Sequence, residues 1–251
     1  MATAVPYPHD AVVAVGTGTT AQEALERALA LAPLSPTAVE GRTVSVLAAA
    51  DVDRAVLDHL LDAVRAAGAA AVAVVDSPSP NMTDIDLGGA VGRGRVDVGW
   101  NSADVRILAG HNRTHPRWLY GGAMLTVLRA FEARGTVPEV CRTALEAAPV
   151  DFAIVDAWTS RDRRASQPTH SILASPNAFA LDWVVGEKMD VDPSMNPVVR
   201  EGLLRWGRIH IDRRGNRTPW DPWKNATPLH AVLADARARI AGGKEVSWST
   251  R

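Results

Sequence analysis

The stretch VRILAGHNRTHPRWLYGG, Val105 to Gly122, opens on an apolar run (Val105, Ile107, Leu108, Ala109). It then sets His111, Asn112, Arg113, Thr114, His115, Arg117, Trp118 and Tyr120 within a few positions. The run reads as a short buried strand broken at Gly110, and the polar residues as a loop closed by Gly121-Gly122. A helix-like segment follows from Ala123 to Ala133, with Leu125, Leu128 and Phe131 in phase. A strand that empties into a loop dense in imidazole, guanidinium and indole is where an α/β protein places chemistry.

Upstream, strands and helices alternate. Ala11 to Val15 is an apolar run ending in Gly16-Thr17-Gly18-Thr19-Thr20, followed by a helix from Ala21 to Ala32. This glycine turn lacks both G-x-G-x-x-G and the Lys-Ser/Thr of a P-loop, so it reads as a plain strand-to-helix turn before a nucleotide cradle. Arg42 to Ala50 is a second strand and Asp51 to Ala67 a helix with Val52, Val56, Leu60 and Val64 on one face. Ala69 to Val75 is a third strand, ending at Asp76. Asn81 to Ser102 is Gly- and Asp-rich, either a covering loop or a small hairpin.

Downstream, Pro138 to Ala148 is a helix with Pro at its start. Asp151 to Asp156 is a buried strand, and Thr159 to His170, rich in Arg, reads as an exposed loop. Ser171 to Ala174 is a short strand leading to a helix that carries Asp182 and ends near Met189. Pro197 to Trp206 and Leu229 to Ile240 are further helices, with an edge strand at Arg208 to Ile211. The alternation predicts an α/β fold, layered, with a mostly parallel β-sheet flanked by helices. A single domain over residues 1–251 is the simplest organisation, with a subdivision, if any, near residue 100.

The 27 Lys and Arg against 28 Asp and Glu give a net charge of −1, which argues for no nucleic-acid and no anionic membrane partner. No apolar run is long enough to span a membrane, and the start lacks the pattern of a signal peptide, so a cytoplasmic protein is expected. The single cysteine, Cys141, excludes an internal disulfide and a four-thiolate cluster within one chain. Trp100, Trp118, Trp158, Trp206, Trp220 and Trp223 fall in or beside loops. Such indoles either wall a pocket for a flat or apolar ligand or pin long loops to the core.

Parallel sheets bind ligands beyond the carboxyl ends of their strands, which gathers Asp76, the His111 loop, Asp156-Trp158 and the helix of Asp182 around one site. His111 and His115, backed by Asp156, suit proton abstraction and return, because imidazole titrates near working pH and a carboxylate fixes its tautomer. Arg113 offers a guanidinium fork for an anionic group. Asn112, Trp118, Tyr120, Trp158, Asp182 and Asp76 complete the substrate-binding set, although Asp182 is also read as a structural hydrogen-bond anchor. His111, His115 and Asp156 are the ligand set if a divalent metal is bound, although the spacing matches no metal motif. The bland alternative has one histidine capping the loop and the other exposed.

Two blocks resemble the domain-of-unknown-function family 362. One is Ile107 to His115 with Gly121 to Thr126; the other is Ile154 to Ala157 with Leu173 to Asp182, the C-terminal two-thirds of the chain. The chain departs from that family's pattern by Arg113 for a lysine, Leu125-Thr126 for a Lys-Asn pair and Ser160 to Arg164 for a Gly/Pro-rich loop. It also lacks the ferredoxin-type cysteines that many members append. The histidine loop followed by Gly-Gly is also distantly similar to the nickel-pincer lactate racemases. These resemblances imply the fold and the location of a site. The resulting expectation is an enzyme of specialised, natural-product metabolism acting on a small molecule by isomerisation, cyclisation or elimination, without an organic redox cofactor. A metal-dependent enzyme and a non-catalytic binding protein are the alternatives, and a homodimer is admitted.

Overall fold

The computed structural model describes residue 7, residues 10–75, residues 79–224 and residue 226. Asp76 and the expected helix Leu229 to Ile240 lie outside these. A central sheet has the order β11-β1-β10-β9-β6-β2-β3. Its strands are β1 (Asp10–Thr17), β2 (Thr43–Ala48), β3 (Ala71–Val74), β6 (Val105–His115), β9 (Phe152–Asp162), β10 (Ala165–Ser175) and β11 (His210–Gly215). The short β7 (Leu119–Gly121) folds back antiparallel on the end of β6. β11/β1, β9/β6, β6/β2 and β2/β3 are parallel, while β10 runs against both β1 and β9. All the long strands except β10 therefore point the same way, and the fold is the layered α/β arrangement expected. Strands from before and after residue 100 share this one sheet.

Side chains alternate faces along these strands. Val44, Val46, Val105, Ile107, Ala109, Phe152, Ile154, Ile172 and Ala174 join one apolar cluster. Its cover includes α1 (Ala21–Leu31) and α3 (Arg54–Ala66). Leu47, Leu108, Ala153, Val155 and Leu173 join the other, with α5 (Ala123–Thr126), α6 (Val137–Ala147), α7 (Ala178–Lys188) and α8 (Pro197–Trp206). α3 shows how the first layer is held. Val56, Leu57, Leu60, Leu61 and Val64 are buried on one face, at about 1.5–3 kcal/mol for each large side chain. Asp53 starts that helix, its side chain accepting from the Ala55 N–H. Among the described residues, the remaining α-helices are α2 (Pro36–Val39) and α4 (Val98–Ser102).

Four segments differ from the sequence reading. β6 runs on through Gly110 to His115, because β9 and β7 continue to supply hydrogen-bonding partners where sequence pattern alone signals a break. The Arg-rich Thr159 to His170 is the far part of a long β9/β10 hairpin, its tip carrying Arg163 at φ 57°. Ala123 to Ala133 is one helical turn, a 3-10 turn over Val127–Ala130 and β8 (Phe131–Ala133) rather than one helix. Asn81 to Ser102 holds the hairpin alternative, β4 (Met82–Asp86) and β5 (Arg93–Asp97), which with β8 forms a second, antiparallel sheet. Five of the six loop-edge indoles (Trp100, Trp118, Trp206, Trp220 and Trp223) are buried, so these side chains pin segments to the core.

Candidate functional site

The carboxyl ends of β1, β2, β6 and β9 share one edge of the sheet, and His111 and Asp156 are neighbours there across the β6/β9 ladder. Both are buried, at 6% and 1% exposure, and His111 Nδ1 lies 3.8 Å from Asp156 Oδ2. Asp156 is held firmly. Its Oδ2 accepts the Asp53 N–H at 2.8 Å, and its Oδ1 accepts the Trp158 N–H at 3.0 Å. The first of these bonds ties the carboxylate to the residue that caps α3. Among the described residues, His111 has no hydrogen-bond partner on either ring nitrogen. Buried polar atoms are nearly always paired, so an imidazole with two unpaired nitrogens beside a fixed carboxylate is a group with unused bonding capacity.

The second histidine is differently employed. His115 Nδ1 accepts the N–H groups of Arg117 and Trp118 at 3.1 and 3.2 Å, closing the turn from β6 into β7. Its ring stacks on Trp118 with centroids 5.9 Å apart. Burial, with Arg113 and Arg117 adding to it, lowers its pKa to about 4. His115 is thus a neutral cap whose acceptor nitrogen is committed. Four residues of extended strand also put it about 13 Å from His111 along the chain, so the two imidazoles do not form a close pair.

Asp182 and Tyr120 lie on the other side of the sheet. Asp182, on α7, accepts the Ala123 and Met124 N–H groups at 2.7 and 3.0 Å. The Tyr120 hydroxyl donates to the Asp182 carbonyl at 2.9 Å, and Asn196 donates to the Tyr120 carbonyl at 3.0 Å. Burial raises the Asp182 pKa to about 7 against the lowering effect of those two N–H groups. The glycines of the opening stretch serve this junction. A Cβ on Gly110 would stand 2.7 Å from the Gly122 carbonyl carbon, and one on Gly122 would stand 2.3 Å from Asp182 Oδ1. Asp182 therefore takes the anchoring role among its two readings, and Tyr120 is locked in the same buried network.

Asn112 is fully buried; its Nδ2 donates to Ser160 Oγ at 3.0 Å, while its Oδ1 has no partner among the described residues. Trp158, half-buried, meets the His170 ring edge-on at 4.8 Å. Trp118 is buried against His115. Arg113 Nη1 donates to Asp51 Oδ2 at 3.1 Å, in the loop between β2 and α3. The structure thus brings together His111, Asp156 and, two residues along each chain segment, Arg113 and Trp158. It separates them from Asp182 and Tyr120 by the sheet and from His115 along the strand. His111, His115 and Asp156 do not form one metal-ligand set, and among the described residues no group of three or more His, Cys, Asp or Glu could hold a metal ion.

Sequence reasoning missed three contributors. Asp51 and Asp53 were absorbed into a helix, yet they follow β2 at the carboxyl edge, a position that the ligand rule for parallel sheets marks. Ser160 sits in what reads as a loop, and no sequence signal marks it. The glycine turn after β1 is already filled. The Glu23 carboxylate accepts from the Thr19 N–H at 2.7 Å, and a Cβ on Gly16 would lie 2.0 Å from the Ala24 carbonyl oxygen. Gly16 therefore lets α1 approach β1, and an acidic side chain occupies the place a phosphate would take.

No protein-family profile matches the chain, and no curated protein does; the resemblance to family 362 rests on the residues quoted above. Among solved structures, the lactate racemase apoprotein from Thermoanaerobacterium thermosaccharolyticum aligns with a TM-score of 0.43 at 13% identity. The alignment covers 66% of this chain and 54% of that one, so the chain spans about half the length of that structure.

Proposed function

We propose that the protein is an acid–base enzyme acting on a small molecule, with His111 moving the proton and Asp156 orienting it. The observation that carries this reading is the pair itself, two buried groups 3.8 Å apart at the sheet's carboxyl edge, with both imidazole nitrogens unpaired among the described residues. A small rotation brings Nδ1–H onto Asp156 Oδ2, and catalytic hydrogen bonds commonly tighten in this way when substrate binds. Nε2 is then the free base. When it takes a proton, the imidazolium faces a carboxylate that two backbone N–H groups keep in place. At an effective dielectric near 20, a pair at this distance attracts by about 4 kcal/mol, which offsets much of the cost of a buried cation.

The chemistry that follows is removal of a proton from carbon beside a carbonyl or carboxylate. Return of that proton on the other face is an isomerisation; loss of a neighbouring group or ring closure gives elimination or cyclisation from the same first step. Arg113, two residues beyond His111, supplies a guanidinium for the anionic group that acidifies the C–H bond. Trp158 and its edge-on partner His170 offer an apolar flank on the same side of the sheet.

The test is proton exchange in D2O with a panel of 2-hydroxy, 2-oxo and 3-oxo carboxylates, followed by proton NMR. Wash-out of an α-proton by the wild type is expected, with a loss on the order of 10²-fold or more in His111→Gln and Asp156→Asn. His115→Asn retains activity within a few-fold, since its oxygen replaces the capping nitrogen. Exchange that survives His111→Gln sinks the assignment. Saturable binding by calorimetry with no exchange points instead to a binding protein.

A further inference from the structure

A second feature of the same edge is a guanidinium whose Nε–H is unpaired among the described residues. Arg129 sits in the 3-10 turn Val127–Ala130, and its Nε is shielded from solvent with no hydrogen-bond partner among the described residues. The turn packs against β2, whose end leads into Asp51, and Asp51 and Arg113 are the charges that act on the Arg129 guanidinium; Asp51 already accepts from Arg113 Nη1. Two guanidinium charges therefore share one carboxylate, leaving a local excess of one positive charge and a buried N–H donor unused. A buried donor without a partner is costly, the more so when it carries charge, so this arrangement is stabilised by an oxyanion that reaches it. Burial lowers the Arg129 pKa, opposed by Asp51, with Arg113 adding to the lowering; an anion bound at Arg129 acts in the same direction as Asp51.

We propose that Arg129 and Arg113 together form an oxyanion-binding pair for a small carboxylate or phosphate ligand. In this arrangement Asp51 holds Arg113 in place and Arg129 donates its free Nε–H to the ligand. This deepens the acid–base reading by adding the recognition residue that the sequence pattern hides, since Arg129 falls in a stretch that reads as an ordinary amphipathic helix. It also stands apart from that reading in its test, because binding is measured without turnover.

The probes are inorganic phosphate and malonate, titrated at constant ionic strength and followed through the Arg129 Nε–Hε resonance by heteronuclear NMR. A saturable shift is expected, with affinity falling ten-fold or more in Arg129→Gln and in Arg113→Gln. Arg163→Gln, at the exposed hairpin tip, leaves the affinity unchanged. Arg129→Lys keeps the charge and the fold but lacks the fork, and it retains part of the affinity; melting curves confirm that each variant is folded. Tighter phosphate binding assigns a phosphorylated ligand, and tighter malonate binding a carboxylate. A non-saturable shift, or equal affinity in wild type and Arg129→Gln for both anions, overturns the proposal. His111→Gln still binds the anion if this pair is right, whether or not His111 moves the proton, so the two assignments fail separately.

Discussion

His115 gives the sharpest quantitative expectation. Its Nδ1 takes two backbone N–H groups, which requires a neutral ring, and its pKa falls from 6.5 to about 4. A depressed folded pKa means stability that is full above the unfolded value and lost as pH falls toward 4. Integrating the linkage between about pH 7.5 and pH 5 gives about 2 kcal/mol, and solvent screening of the partly exposed ring trims this to about 1–2 kcal/mol. Asn at this position places its Oδ1 where the histidine has Nδ1, so His115→Asn keeps the cap and removes the titration. Urea denaturation of both proteins at several pH values isolates the term, because every other titrating group cancels in the difference. The wild type is expected to lose about 1–2 kcal/mol relative to His115→Asn on acidification. A wild-type-to-variant difference that does not change with pH would refute the neutral-cap assignment.

Asp182 should act with the opposite sign. Its pKa is raised from 3.8 to about 7, so its contribution is full at low pH and is lost as pH rises through 7, by up to about 4 kcal/mol. Asp182→Asn, permanently neutral, should gain on the wild type by that order between about pH 4 and pH 8 in the same denaturation assay. Gly122→Ala meets Asp182 Oδ1 at 2.3 Å; φ there is −162°, extended, so the cost is steric. Displacing the carboxylate from its two N–H donors should lower stability by about 3 kcal/mol or more, visible as a fall in Tm. Leu60→Ala, in the buried stripe of α3, should cost about 2–5 kcal/mol without changing anion affinity, which separates the layer's packing role from the site.

Much of the fold was legible because its signals are local. The apolar runs at Ala11 to Val15, Arg42 to Ala50, Val105 to Ala109 and Asp151 to Asp156 alternate with helical stripes, and that alternation alone implies a mostly parallel sheet. The glycine and proline punctuation was misleading where pairing overrode it. Gly110 looks like a break, yet β6 continues because the absence of a Cβ admits the Gly122 backbone. The Arg-rich hairpin carries no apolar pattern, since its far end leaves the core and is held by cross-strand hydrogen bonds. α7 is buried on nearly every side, so its face toward the sheet is not readable from periodicity.

The amino-acid order was enough to bring the stretch from Val105 to Gly122 to the carboxyl edge of the sheet, and to offer His111, Arg113 and Asp156 as the candidates there, because strand ends at that edge are recognisable from pattern. It could not say which side of the sheet each polar residue serves. That depends on register. His111 meets Asp156 because β6 and β9 pair in parallel at that position, whereas Tyr120 and Asp182 close the junction behind Gly110 and Gly122. Tertiary packing also decided that His115 is a cap and that the Arg129 Nε–H is buried and unpaired among the described residues. Each of these is a contact between segments distant in sequence, and such contacts are set by the geometry of the layers rather than by any local propensity.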